Sequence, residues 1–282
     1  MNSGPLKPKW TTAVDKHYSI VLFCSCGIEN GFQFRLNHIE SETMPRIRSK
    51  YLLSVVLMLG LFVTAHADRR KYAFTYQYGT IAPAASELEF YQTTKLAAVD
   101  SWEYRIEIEH GLTPKCDISL YQIFEQNQNE SLKWSAVQLR GRYRLANPGE
   151  FLLDPLLYLE YNRNTDLTAQ NVVEAKVILS RNFGRENLSL NPVFEVKFAP
   201  GEPVTEVGFD IGFAHEFSYA VSLGVEGSGR WESEDGETEA TSYLGPVISM
   251  AHGEVYSTIG VGWGMTDESD DARVRLLLGV GL

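Results

Sequence analysis

The feature that most constrains this chain is a period of two in its hydrophobicity. Trp102, Tyr104, Ile106 and Ile108 alternate with Glu103, Arg105, Glu107 and Glu109. Val137, Leu139, Gly141 and Tyr143 alternate with Gln138, Arg140, Arg142 and Arg144, and Val207, Phe209, Ile211 and Phe213 with Gly208, Asp210, Gly212 and Ala214. Alternation sustained this long belongs to strands with one apolar and one polar face. Turn chemistry at Gly111-Leu-Thr-Pro114, Asn147-Pro-Gly149, Pro200-Gly-Glu-Pro203 and Asp235-Gly236 punctuates it. Twelve strands follow, over 86–97, 101–110, 116–125, 132–145, 154–163, 170–182, 187–199, 204–216, 218–230, 240–250, 254–264 and 272–282. No helical period competes with them.

These segments are long for a soluble sheet, whose strands run to about 5–6 residues, and long enough to cross a bilayer at a tilt, which takes about 9–11. Their polar faces carry charges that a soluble core could not hold. The set proposed to line a lumen is Glu103, Arg105, Glu107, Arg140, Arg142 and Arg144 in the first half, with Glu174, Lys176, Glu195, Lys197, Glu206 and Asp210 in the second. Aromatic residues near strand ends, among them Trp102, Trp134, Tyr161, Trp231 and Trp263, match interfacial girdles. An open sheet edge in lipid would leave amides unpaired at several kcal/mol each, so the sheet must close. The expected fold is therefore all-β, an antiparallel transmembrane β-barrel of about twelve strands over 86–282. Tyr72, Phe74, Tyr76 and Tyr78 also alternate. The 68–85 segment that contains them is either a tail in the periplasm or lumen, or the first strand of a fourteen-stranded barrel.

Residues 44–67 have the layout of a signal peptide. Arg46, Arg48 and Lys50 form a basic start, Tyr51–Val63 an apolar run of about 13 residues, and Ala65-His66-Ala67 a small-x-small cleavage site. The run is too short to span a bilayer, which takes roughly 20 residues. Translation from Met44 would make residues 1–43 a spurious extension. Export followed by barrel formation implies the bacterial outer membrane. With the termini in the periplasm, the long acidic stretches 231–239 and 265–271 fall on outer loops.

Of 25 basic and 36 acidic side chains, seven and four precede Asp68, leaving 18 against 32 over the last 215 residues. That balance repels phosphate backbones and argues against a nucleic-acid partner. Only Cys116 remains past the cleavage site, so no internal disulfide is available there.

Tyr76-Gln-Tyr78, Ala82-Pro-Ala-Ala-Ser-Glu-Leu-Glu-Phe90 and Tyr104-Arg-Ile-Glu-Ile-Glu-His-Gly-Leu-Thr113 resemble the opening of a family of uncharacterised proteobacterial outer-membrane proteins. This chain departs from that pattern at His110, where the family has an aromatic residue, and at Pro114, where it has Asp. The resemblance covers about the first 45 residues after the cleavage site. It implies a barrel and no particular chemistry.

Catalytic signals are sparse. His110, His215 and His252 have no second His or Cys at metal-ligand spacing, and no cofactor or metal motif is present. His215 precedes Glu216-Phe-Ser218, which invites comparison with outer-membrane phospholipases, but their Ser-Asn-Gly pattern is absent. The glycines of Gly260-Val-Gly-Trp-Gly264 alternate with apolar residues inside a strand, which suits close packing better than a phosphate loop. Three function classes remain. The first is a small-solute or ion channel with a charged lumen. The second is a structural or surface-interaction barrel whose acidic loops meet lipopolysaccharide or divalent cations. The third is a lipid-modifying enzyme. The reading favoured here is a non-enzymatic channel or transport barrel.

Overall fold

The structure, a computed structural model, describes residues 69–198, 200–234 and 236–282. The signal-peptide assignment and the reading of residues 1–43 lie outside the described residues. The strands are β1 (Ser86–Leu96), β2 (Ser101–Thr113), β3 (Cys116–Asn127), β4 (Lys133–Arg144), β5 (Asp154–Asn164), β6 (Asn171–Phe183), β7 (Glu186–Phe198), β8 (Val204–Ser218), β9 (Val221–Glu234), β10 (Glu237–His252), β11 (Val255–Gly264) and β12 (Ala272–Gly281). Each pairs antiparallel with its sequence neighbours, and β1 pairs with β12 to close a barrel. An 11-residue strand rises about 36 Å, and at a tilt near 40° it spans about 28 Å, which suits the apolar band of an outer-membrane barrel.

The two faces separate as the alternation requires. Leu139 and Tyr143 are 54% and 49% exposed on the outside, while Arg140 and Arg142 between them are 1% and 4% exposed inside. Ile106, Ile108, Leu120, Leu159, Val207 and Phe213 continue the outward apolar surface. Apolar groups outside and charges inside invert the soluble arrangement, and that inversion is stable where lipid is the outer solvent. Phe209 lies against Trp231, their ring centroids 6.0 Å apart, and Tyr161 stacks on Phe198 at 6.5 Å.

The end that carries Ser86 and Leu282, called here the termini end, has mostly tight turns. Gly184 and Gly253 open two of them with φ of 67° and 61°, values that favour glycine. The ladder lapses at 177–178 of β6 facing Asn191 and Pro192 of β7, and again between β10 and β11 at Gly245 and Pro246, where proline supplies no N–H to a ladder. Bulges in the β2–β3, β3–β4 and β8–β9 pairings shift the register locally.

One expectation changes, and one open alternative is decided. The segment 231–239 is not a free loop. β9 and β10 extend through it until Glu234 pairs across from Glu237, so Glu232 pairs across from Glu239 on a protruding hairpin. Strand-forming hydrogen bonds outlast the apolar pattern here, because beyond the bilayer both faces of a ribbon can be polar. The stretch Tyr72–Tyr78 forms no strand, and the barrel has twelve strands among the described residues.

Candidate functional site: a charged lumen and its plug

Residues 69–81 lie inside the barrel. At the start, Arg69 donates to the Tyr219 carbonyl and Lys71 approaches Glu216 at 3.2 Å, both at the termini end. The chain then climbs inward. The Arg70 carbonyl accepts from Ser249 at 2.7 Å and Thr258 at 2.6 Å, and the Tyr72 hydroxyl meets Asn187 Oδ1 at 2.8 Å. Asn191 clasps Tyr76 twice, accepting from its backbone N–H at 2.7 Å and donating to its carbonyl at 3.0 Å. The path returns to the termini end through Tyr78, which donates to the Ala146 carbonyl, and Ile81, whose N–H reaches Asp117 at 3.1 Å.

At the apex, one carboxylate holds three consecutive amides. Glu226 accepts from Ala73, Phe74 and Thr75 N–H at 2.9, 2.8 and 2.8 Å. A segment without a strand ladder still needs partners for its buried amides, and the wall supplies them. The wall also makes room. A Cβ on Gly212 would sit 2.5 Å from the Tyr72 ring, and one on Gly260 would sit 2.6 Å from Ala73 Cβ. Both glycines are therefore required by the close approach of the plug.

Beside the plug lies a dry ionic knot. Arg140 reaches Glu107 at 2.7 Å and Glu109 at 2.5 Å, and Arg142 bridges Glu109 and Asp117, the latter at 2.7 Å. Tyr91 donates to Glu89 and to Glu107 at 2.7 Å, Tyr256 donates to Glu89, and Arg70 stands 3.9 Å from Glu89. Glu89, Glu107 and Glu109 bring their oxygens within metal-binding reach of one another, but guanidinium and phenol groups already take these carboxylates. Of the proposed lumen residues, Glu107, Arg140 and Arg142 thus belong to a packed, paired layer. Arg144 stands at the rim by Tyr78 and the Pro114 carbonyl.

Toward the end opposite the termini, above the apex of the plug, a polar cavity of about 240 Å³ remains. Arg105, Glu174, Lys176, Glu195 and Asp210 all line it, with Phe74 and Tyr76 of the plug as its floor. Glu103, Lys197 and Glu206 lie near it as ion partners. Glu103 holds Arg105 at 2.8 Å, Glu206 holds Arg230 at 3.2 Å, and Lys197 pairs with Glu232 of the hairpin. Register sets Glu160, Glu174, Glu195 and Glu206 directly opposite one another on β5 to β8. Sequence reading found the inward charges but missed Arg230, Glu160 and the plug contacts of Glu226.

The histidines make simple contacts. His215 Nδ1 lies 3.0 Å from Glu186, and His110 Nδ1 lies 2.9 Å from the Ser86 hydroxyl at the termini rim. Cys116 is a free thiol.

No family model matches this sequence, and no curated protein matches it. Among solved structures, the chain is similar to an outer membrane channel from Pseudomonas putida F1, at 10% identity and a TM-score of 0.56, over 73% of this chain and 98% of that one. It also aligns with the NanC porin at 10% identity and a TM-score of 0.48, over 70% and 99%. The KdgM porin, solved in complex with disordered oligogalacturonate, gives 10% and 0.49 over the same shares. Identity this low speaks for architecture alone, and the architecture is that of an outer-membrane β-barrel.

Proposed function

We propose that this chain is an outer-membrane channel for small polar solutes or ions, closed at one end by its own residues 69–81. One observation carries the reading: a charged cavity opens within the barrel and stops at a plug held by side chains rather than by a strand ladder. Tight turns face the periplasm in such barrels, which puts the plug on the periplasmic side and the cavity toward the exterior. The likeness to a known outer membrane channel supports the reading through fold only. Twelve strands enclose a lumen between the filled eight-stranded barrels and the open large porins, so a short internal segment is enough to close it.

The test is conductance in planar bilayers, comparing the intact protein with a variant lacking residues 69–81. The channel reading expects low, rare openings from the first and steady current from the second. Silence from both, with the barrel folded, would replace it by a structural or surface barrel. The hairpin glutamates Glu232, Glu234, Glu237 and Glu239 favour that alternative, because they gather acidic groups where divalent cations and lipopolysaccharide would meet them. We read the chain as non-enzymatic. Lipid hydrolysis abolished by His215→Ala or His110→Ala would reverse that.

A further inference from the structure

The walls of the outer cavity differ in sign. Carboxylates line one arc: Glu160 on β5, Glu174 on β6, Glu195 on β7 and Asp210 on β8. Guanidinium groups line the other, with Arg230 on β9, Arg273 and Arg275 on β12 and Arg105 on β2. In a closed twelve-stranded ring, the arc β5–β8 lies across from the arc centred on β12 and β1. Among the residues that line the cavity, Lys176 is the one cation on β5–β8, and it is taken up by Glu174 at 3.0 Å, while Lys197 beyond the lining pairs with Glu232.

Not all of these charges are neutralised by neighbours. Arg105 and Arg230 have close acidic partners, and Arg275 stands 3.9 Å from Glu103. Among the described residues, Arg273 has no ion pair, and its Nε is buried without a hydrogen-bond acceptor. Its guanidinium lies between the rings of Phe74 and Tyr243, at 4.3 and 4.1 Å, which fixes the plane and leaves the N–H edge for a ligand. Ser228 takes one hydrogen of that edge at 2.5 Å. On the opposite wall, among the described residues, Glu195 makes neither an ion pair nor a hydrogen bond, and it sits between Glu174 and Glu206 in register. Asp210 is 2% exposed, and its Oδ2 has no partner. Like charges directly opposite on adjacent strands destabilise a sheet, so a cationic group placed among these carboxylates would relieve the row.

We propose that the cavity binds a small zwitterionic solute, with its anionic end on the Arg273 edge and its ammonium on Glu195 and the carboxylates beside it. A planar fork held between two rings suits a carboxylate, and a row of acids suits a compact ammonium. A solute carrying one charge would satisfy one wall and leave the other unrelieved. The inference rests on the reading that solutes enter this cavity.

The test is titration calorimetry on the folded, detergent-solubilised barrel, with 4-aminobutyrate, butyrate and butylamine as probes and empty micelles as the blank. The zwitterion is expected to bind at least tenfold tighter than either single-charge analogue. Arg273→Gln should lower its affinity about tenfold and leave butylamine unchanged. Glu195→Gln should lower it similarly and leave butyrate unchanged. Faster migration of unheated than of boiled samples verifies that each variant is folded. Equal affinity for butyrate and 4-aminobutyrate, or no heat from 4-aminobutyrate, overturns the proposal. Binding to the intact barrel together with a silent plug-deleted barrel would remove the channel and keep the site; conductance of the plug-deleted barrel with no binding to the intact one would do the reverse.

Discussion

Replacing Glu226 by alanine should open the barrel. Its carboxylate accepts three amides at 2.8–2.9 Å, the densest contact the plug makes. Hydrogen bonds to a charged group contribute about 1.5–3 kcal/mol each, net of water. The gross sum is several kcal/mol, and the cost of keeping a buried carboxylate charged opposes it. A net loss of about 2–3 kcal/mol in seating free energy is a reasonable balance, and it shifts the ratio of open to closed by about 30- to 150-fold. Arg70, Tyr72, Tyr76 and Ile81 keep their own contacts, so the segment should flicker rather than leave for good. Single-channel recording reads this as a rise in open probability at an unchanged open-state conductance. Glu226→Gln retains one acceptor oxygen and should fall between the two. If Glu226→Ala matches the parent in open probability while the barrel is folded, residues 69–81 do not gate it.

Gly212→Ala should raise open probability by a steric route, since the new methyl would overlap the Tyr72 ring; unchanged gating would show that the ring simply moves aside. Arg142→Gln should destabilise the barrel by a few kcal/mol in urea unfolding from vesicles, because it leaves buried Asp117 without its cation and Glu109 with Arg140 alone. Leu139→Lys should cost roughly 2–4 kcal/mol in the same assay, and tolerance of it would mean that this face does not meet lipid. N-terminal sequencing of membrane-extracted protein should begin at Asp68, and a start within residues 1–43 would remove the signal-peptide reading.

The barrel was legible because parity is a local property. Once Leu139 faces out, Arg140 and Arg142 must face in, and the same holds strand by strand around the ring. Strand ends were less legible where polarity and pairing part company, as at Glu232–Glu239, whose charges read as loop although the ribbon continues. The plug was not legible as a plug. Tyr72, Phe74, Tyr76 and Tyr78 carry a strand's period, yet the Tyr72 hydroxyl and the Phe74 and Tyr76 amides are satisfied by Asn187, Glu226 and Asn191, more than a hundred residues away. Nothing local marks those three side chains as partners. The cavity's two arcs were half legible: the charges were visible, but which of them find a partner depends on distances across the ring.

The plug enters and leaves the barrel by the same mouth. Arg69 sits by the Tyr219 turn, and Ala84 donates to Gly111 at that same end just before β1 begins. Residues 69–85 are therefore a bight laid into a tube, not a cord drawn through it. A bight can be lifted out with every strand still zipped to its neighbours, including the β1–β12 seam. It can also be laid back without finding a free end, so emptying and refilling this lumen would leave the topology of the barrel untouched.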